Sequence, residues 1–291
     1  MNKSPLLIAL ALALSGCQTL TTVDSDAQSA TQANKRLDGA SPNDINNSLM
    51  VNAQYQHVEQ SEDAPVFDDV WERIRYQLSI DVPQNRPVVT ERNYYARHQA
   101  YLDRISKRAE PYLHFIVEEV EKREMPIEIA LLPIVESAFD PFGYSNRSAS
   151  GIWQFMPATG ERFDLKQNWW YDGRRDIVQS TRAALDYLSY LHKTLGGDWL
   201  NAIAAYNSGE GRLMRAIKKN RKKHLPTDFW SLDLPSETTA YVPKLLALAD
   251  LLKRADEFNV KWKPVINAQV VEVVDVGTQI DLALAADMAD M

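Results

Sequence analysis

Apolar residues recur every three to four positions along most of the chain, the spacing of a helix that buries one face. Polar and charged residues fill the positions between them, as expected of the solvent side of such helices. The clearest examples in the first half are Val70, Trp71, Ile74, Leu78, Tyr101, Leu102, Ile105, Leu113, Ile116 and Val120. The pattern predicts an all-α fold.

Helix start and stop signals extend this prediction through the second half. Pro126 stands where a first helical position would be and predicts a helix over 127–137, which Pro133 would kink. The glycine pair 196–197 is typical of a helix end, and Asp198 of an N-cap. The remaining predicted helices are 176–195, 198–206, 212–220 and 236–255.

The tail after Pro264 departs from the helical pattern. Residues 280–291 have helical character again, with too little chain left to complete a strand pair. We therefore expect 263–291 to be the start of a second module, cut short. The β-branched run that predicts a strand consists of Val265, Ile266, Val270, Val271, Val273 and Val274.

The first seventeen residues have the pattern of a bacterial lipoprotein signal. The apolar run at 5–14 is too short to span a bilayer, which takes about 20 residues, and Leu-Ser-Gly precedes Cys17, the single cysteine of the chain. We predict a signal peptide over 1–16 and lipidation of Cys17; the alternative is an ordinary secretory signal with a chance cysteine. Gln18, rather than aspartate, favours the periplasmic face of the outer membrane.

Composition separates a tether from a globular region. Residues 17–65 are rich in Gln, Asn, Ser, Asp and Thr, which predicts a flexible, disordered tether. The rest of the 291-residue chain is ordinary globular material, with 45% hydrophobic and 24% charged residues overall. The formal net charge of -7 argues against nucleic acid as a partner. We expect a monomer.

One carboxylate stands at the end of an apolar helix. Glu136 follows Ile134 and Val135 and precedes Ala138 and Phe139, so apolar neighbours would remove water from it. A helix C-terminus also disfavours negative charge, and both effects raise the pKa of a carboxyl group. A neutral carboxyl can act as a general acid. The alternative is a helix-end glutamate bonded to nearby backbone.

Four short segments follow one another from this glutamate onward. They are Glu136–Ser137, Gly151–Phe155 (GIWQF), Ala205–Gly209 (AYNSG) and Glu237–Val242 (ETTAYV). Together they resemble the soluble-lytic-transglycosylase-like catalytic domains, over roughly 67–257. The resemblance implies a lysozyme-like, all-α catalytic domain with an active-site groove, for which we set the bounds 66–262.

The resemblance also implies roles for the matching residues. Glu136 would protonate the oxygen that links N-acetylmuramic acid to N-acetylglucosamine in peptidoglycan, and Ser137 would help to orient either Glu136 or the neighbouring acetamido group. The expected substrate-binding residues are Ser137, Gln154, Tyr206, Asn207 and Tyr241. Trp153 and Phe155 would pack the hinge between lobes, and Glu237 would make a structural hydrogen bond.

The family's route needs a single carboxylate. Ordinary glycosidases use two, whereas here the deprotonated Glu136 would take a proton from the muramyl 6-hydroxyl, giving a 1,6-anhydromuramyl end without water, metal or cofactor. The five scattered histidines offer no ligand spacing for a metal. Two alternatives stay open: a hydrolase of the goose-type lysozyme kind, and an inactive wall-binding lipoprotein.

Two further features carry weaker expectations. The aromatic cluster Trp169, Trp170 and Tyr171 is more often core or lobe packing than a sugar-stacking surface. The basic stretch 212–223 is more often a solvated helix face than a surface that attracts anionic stem peptides or lipids.

Overall fold

A computed structural model describes residues 65–270 and 281–288. The signal peptide, Cys17 and nearly all of the predicted tether lie outside the described residues. Within them the chain is helical, with isolated β-bridges and no strand, which confirms the all-α prediction. None of the described helices combines the length and apolar character needed to cross a bilayer.

The α-helices are numbered here in chain order, and three 3₁₀ turns lie between them. The helices are α1 Val70–Gln77, α2 Arg86–Ala96, α3 Gln99–Ala109, α4 Leu113–Glu121, α5 Leu132–Ser137, α6 Pro157–Arg162, α7 Ile177–Thr194, α8 Trp199–Ser208, α9 Glu210–Lys222, α10 Ser236–Lys253 and α11 Leu282–Met288. The 3₁₀ turns are Ile127–Leu131, Phe229–Ser231 and Asp256–Phe258.

Helix caps agree with the sequence signals in the second half. Asp198 accepts a hydrogen bond from the Asn201 backbone N–H at 2.9 Å, which confirms it as the N-cap of α8. Asp176 caps α7 in the same way, through the Gln179 N–H at 2.8 Å. The glycine pair 196–197 ends α7 with positive φ at both positions.

The structure divides the helix predicted over 127–137. Its first part is the 3₁₀ turn Ile127–Leu131, and its second is α5, with Pro133 in the first turn. Proline is tolerated there because the backbone N–H groups of a first turn have no intrahelical partner. Where a kink was expected, the chain therefore changes from a 3₁₀ turn to an α-helix. Glu136 lies in this second, short helix, α5.

The sequence patterns missed α2 and the short α6. The buried side of α2 consists of Val88, Arg92 and Tyr95, so a buried cation obscured its apolar face. Arg92 donates to Asp250 of α10 at 2.6 Å, and both side chains are buried. An ion pair removed from water in this way ties α2 to α10.

The core is built around α8 and α10. Most of α10 is buried, including its four consecutive residues 245–248, because α2, α8, α1 and α5 all pack against it. This long helix carries both Tyr241 and Asp250. It therefore connects the middle of the core to the groove described below.

The tail forms a single β-bridge instead of the strand expected there. Asp69 and Ile266 form an isolated antiparallel bridge, and the Val70 N–H donates to the Val265 carbonyl at 2.8 Å. Since α1 begins at Val70, the pairing cannot continue on the Val265 side; on the other side the Asn267 N–H donates to the Asp68 carbonyl at 2.9 Å. Val271, Val273 and Val274 lie outside the described residues, whereas α11 confirms helix within 280–291. Val265 is buried, so core packing continues past 262.

Candidate active site

A groove of about 640 Å³ opens beside the C-terminal end of α5. Its walls are α5, the loop 143–156, the end of α8 and the first turns of α10. Five of the residues expected at the site line it: Glu136, Gln154, Tyr206, Asn207 and Tyr241. Ser137 does not line it.

Glu136 is partly buried at the floor of the groove. Burial among protein atoms raises the pKa of its carboxyl from 4.5 to about 8. A hydrogen bond from the Tyr241 hydroxyl to Oε1 works in the opposite direction, and the negative charge of Glu237 adds to the rise. At neutral pH the carboxyl is therefore mostly protonated and can donate a proton.

Two tyrosines flank this carboxyl, Tyr241 buried and Tyr206 partly buried. Burial, and next the charge of Glu136, hold the pKa values of Tyr206 and Tyr241 well above the ordinary range, so both phenols keep their protons. Tyr241 donates to Glu136 itself, a contact that its expected role in substrate binding did not include. Tyr206 donates to the Trp153 carbonyl at 2.9 Å and so links α8 to the loop opposite.

Asn207 is oriented by a residue that was given no role from the sequence. The Thr238 hydroxyl donates to Asn207 Oδ1 at 2.8 Å, and Thr238 is buried at the start of α10. The threonine of the Glu-Thr segment thus positions the asparagine of the Ala-Tyr-Asn segment. Its place beside Glu237 in a shared motif was the available signal.

Ser137 and Gln154 organise the loop that forms one wall. The Ser137 hydroxyl donates to the Ile152 carbonyl at 3.0 Å and accepts from the Asp140 N–H. Gln154 donates through Nε2 to the carbonyls of Gly143 and Gly151, at 3.1 and 2.8 Å. Ser137 thus connects the end of α5 to the loop without lining the groove. Gln154 links two parts of the loop through its hydrogen bonds and also lines the groove.

The same loop depends on Gly151 and Arg174. Gly151 has φ +81°, and a Cβ there would lie 1.9 Å from the Arg174 carbonyl oxygen, so only glycine fits. The buried guanidinium of Arg174 donates to the carbonyls of Ser148 and Phe155 at 2.7 and 3.2 Å. Asp172 holds that guanidinium with two further hydrogen bonds. Arg174 was not predicted from the sequence to support this loop.

Trp153 and Phe155 are buried, in agreement with the packing role expected for them. Trp153 Nε1 donates to the Thr181 hydroxyl at 2.9 Å, which fixes the loop against α7. Phe155 packs edge-on against Tyr206, with ring centroids 6.2 Å apart. The wall of the groove is therefore continuous with the core.

A second carboxylate reaches the groove. Glu237 lines it from α10 and faces Arg147 at 3.9 Å, with both side chains largely exposed; this is an ion pair where a structural hydrogen bond was expected. The other nearby acids lie elsewhere: Asp140 pairs with Arg108 at 3.2 Å, and Asp176 caps α7. Within residues 65–270 and 281–288, no His, Cys, Asp and Glu side chains group as metal ligands would.

The packing role expected for Trp169 and Trp170 is wrong. These side chains are 89% and 91% exposed, because the Asn168 side chain accepts from the Trp170 and Tyr171 backbone N–H groups and turns the segment outward. The basic stretch 212–223 includes the exposed face of α9. Lys219 pairs with Asp233 at 2.8 Å, and Leu213, Ala216, Ile217 and Asn220 form the buried face.

Comparison with known families identifies the domain. Residues 114–228 match the model of the transglycosylase SLT domain. The chain carries an SLT domain. The matched region contains Glu136, Gln154, Tyr206 and Asn207, and ends before α10, which adds Tyr241.

Known relatives are similar to this chain beyond the region that matches the SLT domain. It is 40% identical to membrane-bound lytic murein transglycosylase D of Escherichia coli K12 over 289 residues, which cover 99% of this chain and 62% of the relative. A putative tributyltin chloride resistance protein of Alteromonas sp. is 52% identical over 138 residues, covering 46% of this chain and 67% of the relative. The chain thus spans less than two thirds of the murein transglycosylase D sequences.

Among solved structures, the lytic transglycosylase Slt of Pseudomonas aeruginosa is 26% identical to this chain, with a TM-score of 0.40. The alignment covers 53% of this chain and 25% of that one.

Proposed function

We propose that this SLT domain chain is a peptidoglycan lytic transglycosylase. It cleaves the β-1,4 bond between N-acetylmuramic acid and N-acetylglucosamine and leaves a 1,6-anhydromuramyl end, in turnover and remodelling of the cell wall. The observation that carries the proposal is the partly buried Glu136 carboxyl, with a pKa raised to about 8, which lines the groove and accepts a hydrogen bond from Tyr241. The murein transglycosylase relatives support the same activity.

Glu136 serves as acid and then as base. Its proton passes to the glycosidic oxygen as the bond from that oxygen to the anomeric carbon breaks. The carboxylate that forms is stabilised by the Tyr241 hydroxyl, and it then takes the proton of the muramyl 6-hydroxyl, whose oxygen bonds to the anomeric carbon. The proton count closes over one cycle, with no water, metal or cofactor consumed.

The other groove residues hold the sugar. Gln154, Tyr206 and Asn207 line the groove opposite or beside Glu136, where their polar groups meet hydroxyl and acetamido oxygens. Ser137 acts from behind the wall, through the Ile152 carbonyl, and helps to fix Glu136 at the end of α5.

Product analysis distinguishes the proposed reaction from hydrolysis. Hydrolysis is the alternative because Glu237 places a second carboxylate in the groove wall. Digestion of purified murein sacculi is expected to yield anhydromuramyl ends by mass spectrometry. Glu237→Gln is expected to keep that product and to lower the rate less than about tenfold, because Glu237 is largely exposed and paired with Arg147.

The informative comparison is with Arg147→Gln, which breaks the same ion pair and keeps the carboxylate. A hydrolase would instead release reducing ends that carry one added water. If these products were lost in Glu237→Gln and kept in Arg147→Gln, the enzyme would be a two-carboxylate hydrolase. An absence of any cleavage would support the inactive wall-binding protein.

We further propose a lipid anchor on Cys17, a tether over 17–65, a catalytic domain that begins at 66 and continues past 262 because Val265 packs in its core, and a second module after Asn267. The support is the Leu-Ser-Gly-Cys pattern and the membrane-bound description of the murein transglycosylase D relative. The periplasmic face of the outer membrane is the proposed location.

Replacing Cys17 with serine tests the anchor. The variant is expected to move from the membrane fraction to the soluble fraction of the cell envelope, because serine lacks the thiol that takes the lipid. Fractionation with an antibody against the chain measures this, with Ser15→Ala as a matched control that keeps the cysteine. Unchanged membrane association of Cys17→Ser would contradict the anchor.

A further inference from the structure

The segment 167–172, here called the tryptophan turn, holds two indoles almost wholly in solvent. Trp169 is 89% and Trp170 91% exposed. Burying a large apolar side chain is worth about 2–3 kcal/mol, so folding alone does not favour this arrangement. We propose that the tryptophan turn and the cavity at its base bind the sugar rings of a glycan strand outside the groove. The identity of the glycan rests on the proposed function.

The tryptophan turn is fixed in advance of binding. Asn168 Oδ1 accepts from the backbone N–H groups of Trp170 and Tyr171, both at 2.8 Å, and the Asn168 N–H donates to the Tyr171 carbonyl at 2.8 Å. Below the turn, the Gly173 N–H donates to the Lys166 carbonyl at 2.8 Å. A surface that is already ordered loses little entropy when a ligand docks on it.

A cavity of about 400 Å³ lies at the base of the turn, within the usual size range of small-ligand sites. Its polar lining offers a carboxylate, an ammonium group, a phenol and an amide, and the phenol belongs to Tyr171, which follows the exposed Trp170 in the turn. A sugar ring presents an apolar C–H face and a rim of hydroxyls, which match these two kinds of surface. The lining residues are Asp164, Leu165, Lys166, Tyr171, Gly173 and Gln179.

Hydrogen bonds connect this surface to the wall of the groove. Gln167 Nε2 donates to the Pro157 carbonyl at 2.9 Å. Arg174, just past the turn, donates to the carbonyls of Ser148 and Phe155 in the wall loop. A strand longer than the groove could therefore be held at two points on one fixed framework, which strengthens attachment without any new contact in the groove.

The charge balance of this surface gives no attraction for an anionic lipid. Residues 164–176 balance three acids against three bases, so the segment has no net charge to attract anionic headgroups. Cationic side chains are concentrated instead on α9. The charged residues of the segment are Asp164, Asp172, Asp176, Lys166, Arg174 and Arg175.

Binding of peptide-free glycan strands tests the proposal. The full chain carrying Glu136→Gln serves as parent, so that strands are not cleaved during the measurement. Adding Trp169→Ala and Trp170→Ala together is expected to weaken binding at least about tenfold, whereas Trp169→Tyr with Trp170→Tyr retains most of it. The matched control is Tyr76→Ala, which removes another exposed aromatic, 68% exposed on α1, and is expected to bind as the parent does.

A second measurement locates the contact. Soluble N-acetylglucosamine oligomers are expected to shift the indole N–H resonances that disappear in Trp169→Ala and Trp170→Ala. Equal affinity of parent and double alanine variant, with both indole signals unmoved, would overturn the proposal. So would a double variant that loses binding only to phosphatidylglycerol vesicles, since that result assigns the turn to a membrane.

Failure of the proposed function would be distinguishable, because neither measurement uses cleavage. Glycan binding that depends on the indoles, in a chain whose wild-type form releases no product from sacculi, would reject the transglycosylase activity and keep this site. Circular dichroism of each variant confirms that the helices are intact.

Discussion

Glu136→Gln is expected to reduce cleavage of murein sacculi by at least about a thousandfold. The amide has nearly the shape of the carboxyl and can still accept the Tyr241 hydrogen bond, but it cannot give a proton to the glycosidic oxygen or later take one from the 6-hydroxyl. Both halves of the proposed cycle therefore fail together. The release of anhydromuramyl products, followed by mass spectrometry, measures the loss.

The same variant should be more stable than the wild type at pH 8. Burial makes the folded state hold the Glu136 proton up to about pH 8, whereas an unfolded chain releases it near 4.5. Because the unfolded chain gains stability by releasing this proton while the folded state keeps it, the fold becomes progressively less stable as the pH rises from about 4.5 to 8. Glutamine does not ionise, and a gain on the order of 2 kcal/mol in the free energy of unfolding is expected at pH 8, shrinking toward pH 5.

Asp140→Asn is the matched control, because Asp140 lies on the same segment but pairs with Arg108. It is expected to keep cleavage activity and to show no stability gain at pH 8. Substantial cleavage by Glu136→Gln would mean that another group supplies the proton. Equal stability of Glu136→Gln and the wild type at pH 8 would mean that the carboxyl is not held protonated.

Tyr241→Phe is expected to lower kcat by roughly ten- to a hundredfold and to change its pH dependence. The Tyr241 hydroxyl donates to Glu136 and so stabilises the ionised carboxyl, the state reached once the leaving oxygen has been protonated. A hydrogen bond to a charged group contributes roughly 1.5–3 kcal/mol. Its removal leaves the new carboxylate less stable and slows the step that forms it.

The pH profile separates this role from a packing role. Without the donor, the pKa of Glu136 rises further above about 8, because the hydrogen bond lowers it in the intact protein. The alkaline fall in kcat/KM, where the acid loses its proton, is therefore expected at higher pH in Tyr241→Phe. Tyr206→Phe removes the neighbouring, partly buried phenol, which donates to the Trp153 carbonyl, and it should leave that fall in place. A Tyr241→Phe profile that coincides with the wild type would contradict the assignment.

Local periodicity was enough to predict most helices, because apolar spacing and caps act within a few residues. It failed for α2, where the buried face includes Arg92, whose partner Asp250 lies 158 positions away. It failed again at Val265 and Ile266, where the described chain forms an isolated bridge with Asp69, next to α1, instead of a strand. In both cases a distant contact decided the local structure.

The groove residues could be chosen from short motifs, but their contacts could not. The sequence indicated a raised pKa for Glu136 from its apolar neighbours, yet nothing local to α5 indicates the Tyr241 hydroxyl, 105 positions downstream. Thr238 and Arg174 act by orienting Asn207 and the wall loop, so their roles emerge only when α8, α10 and the loop meet. The prediction that Trp169 and Trp170 pack inside was wrong. Clustered aromatic side chains are usually packed, but here the hydrogen bonds of Asn168 hold a turn that exposes them.

The pairing of Asp69 with Ile266 has a mechanical consequence. Partners in an antiparallel bridge have Cα atoms about 5 Å apart, and the Val265 N–H also donates to the Asp69 side chain, 196 positions away in sequence. The chain therefore enters and leaves the folded unit at nearly the same point, so the unit adds almost no distance between the chain segments on either side of it. Tension between the two flanking segments would load these few hydrogen bonds one after another, and the ends would peel apart before the helices around Glu136 were stretched.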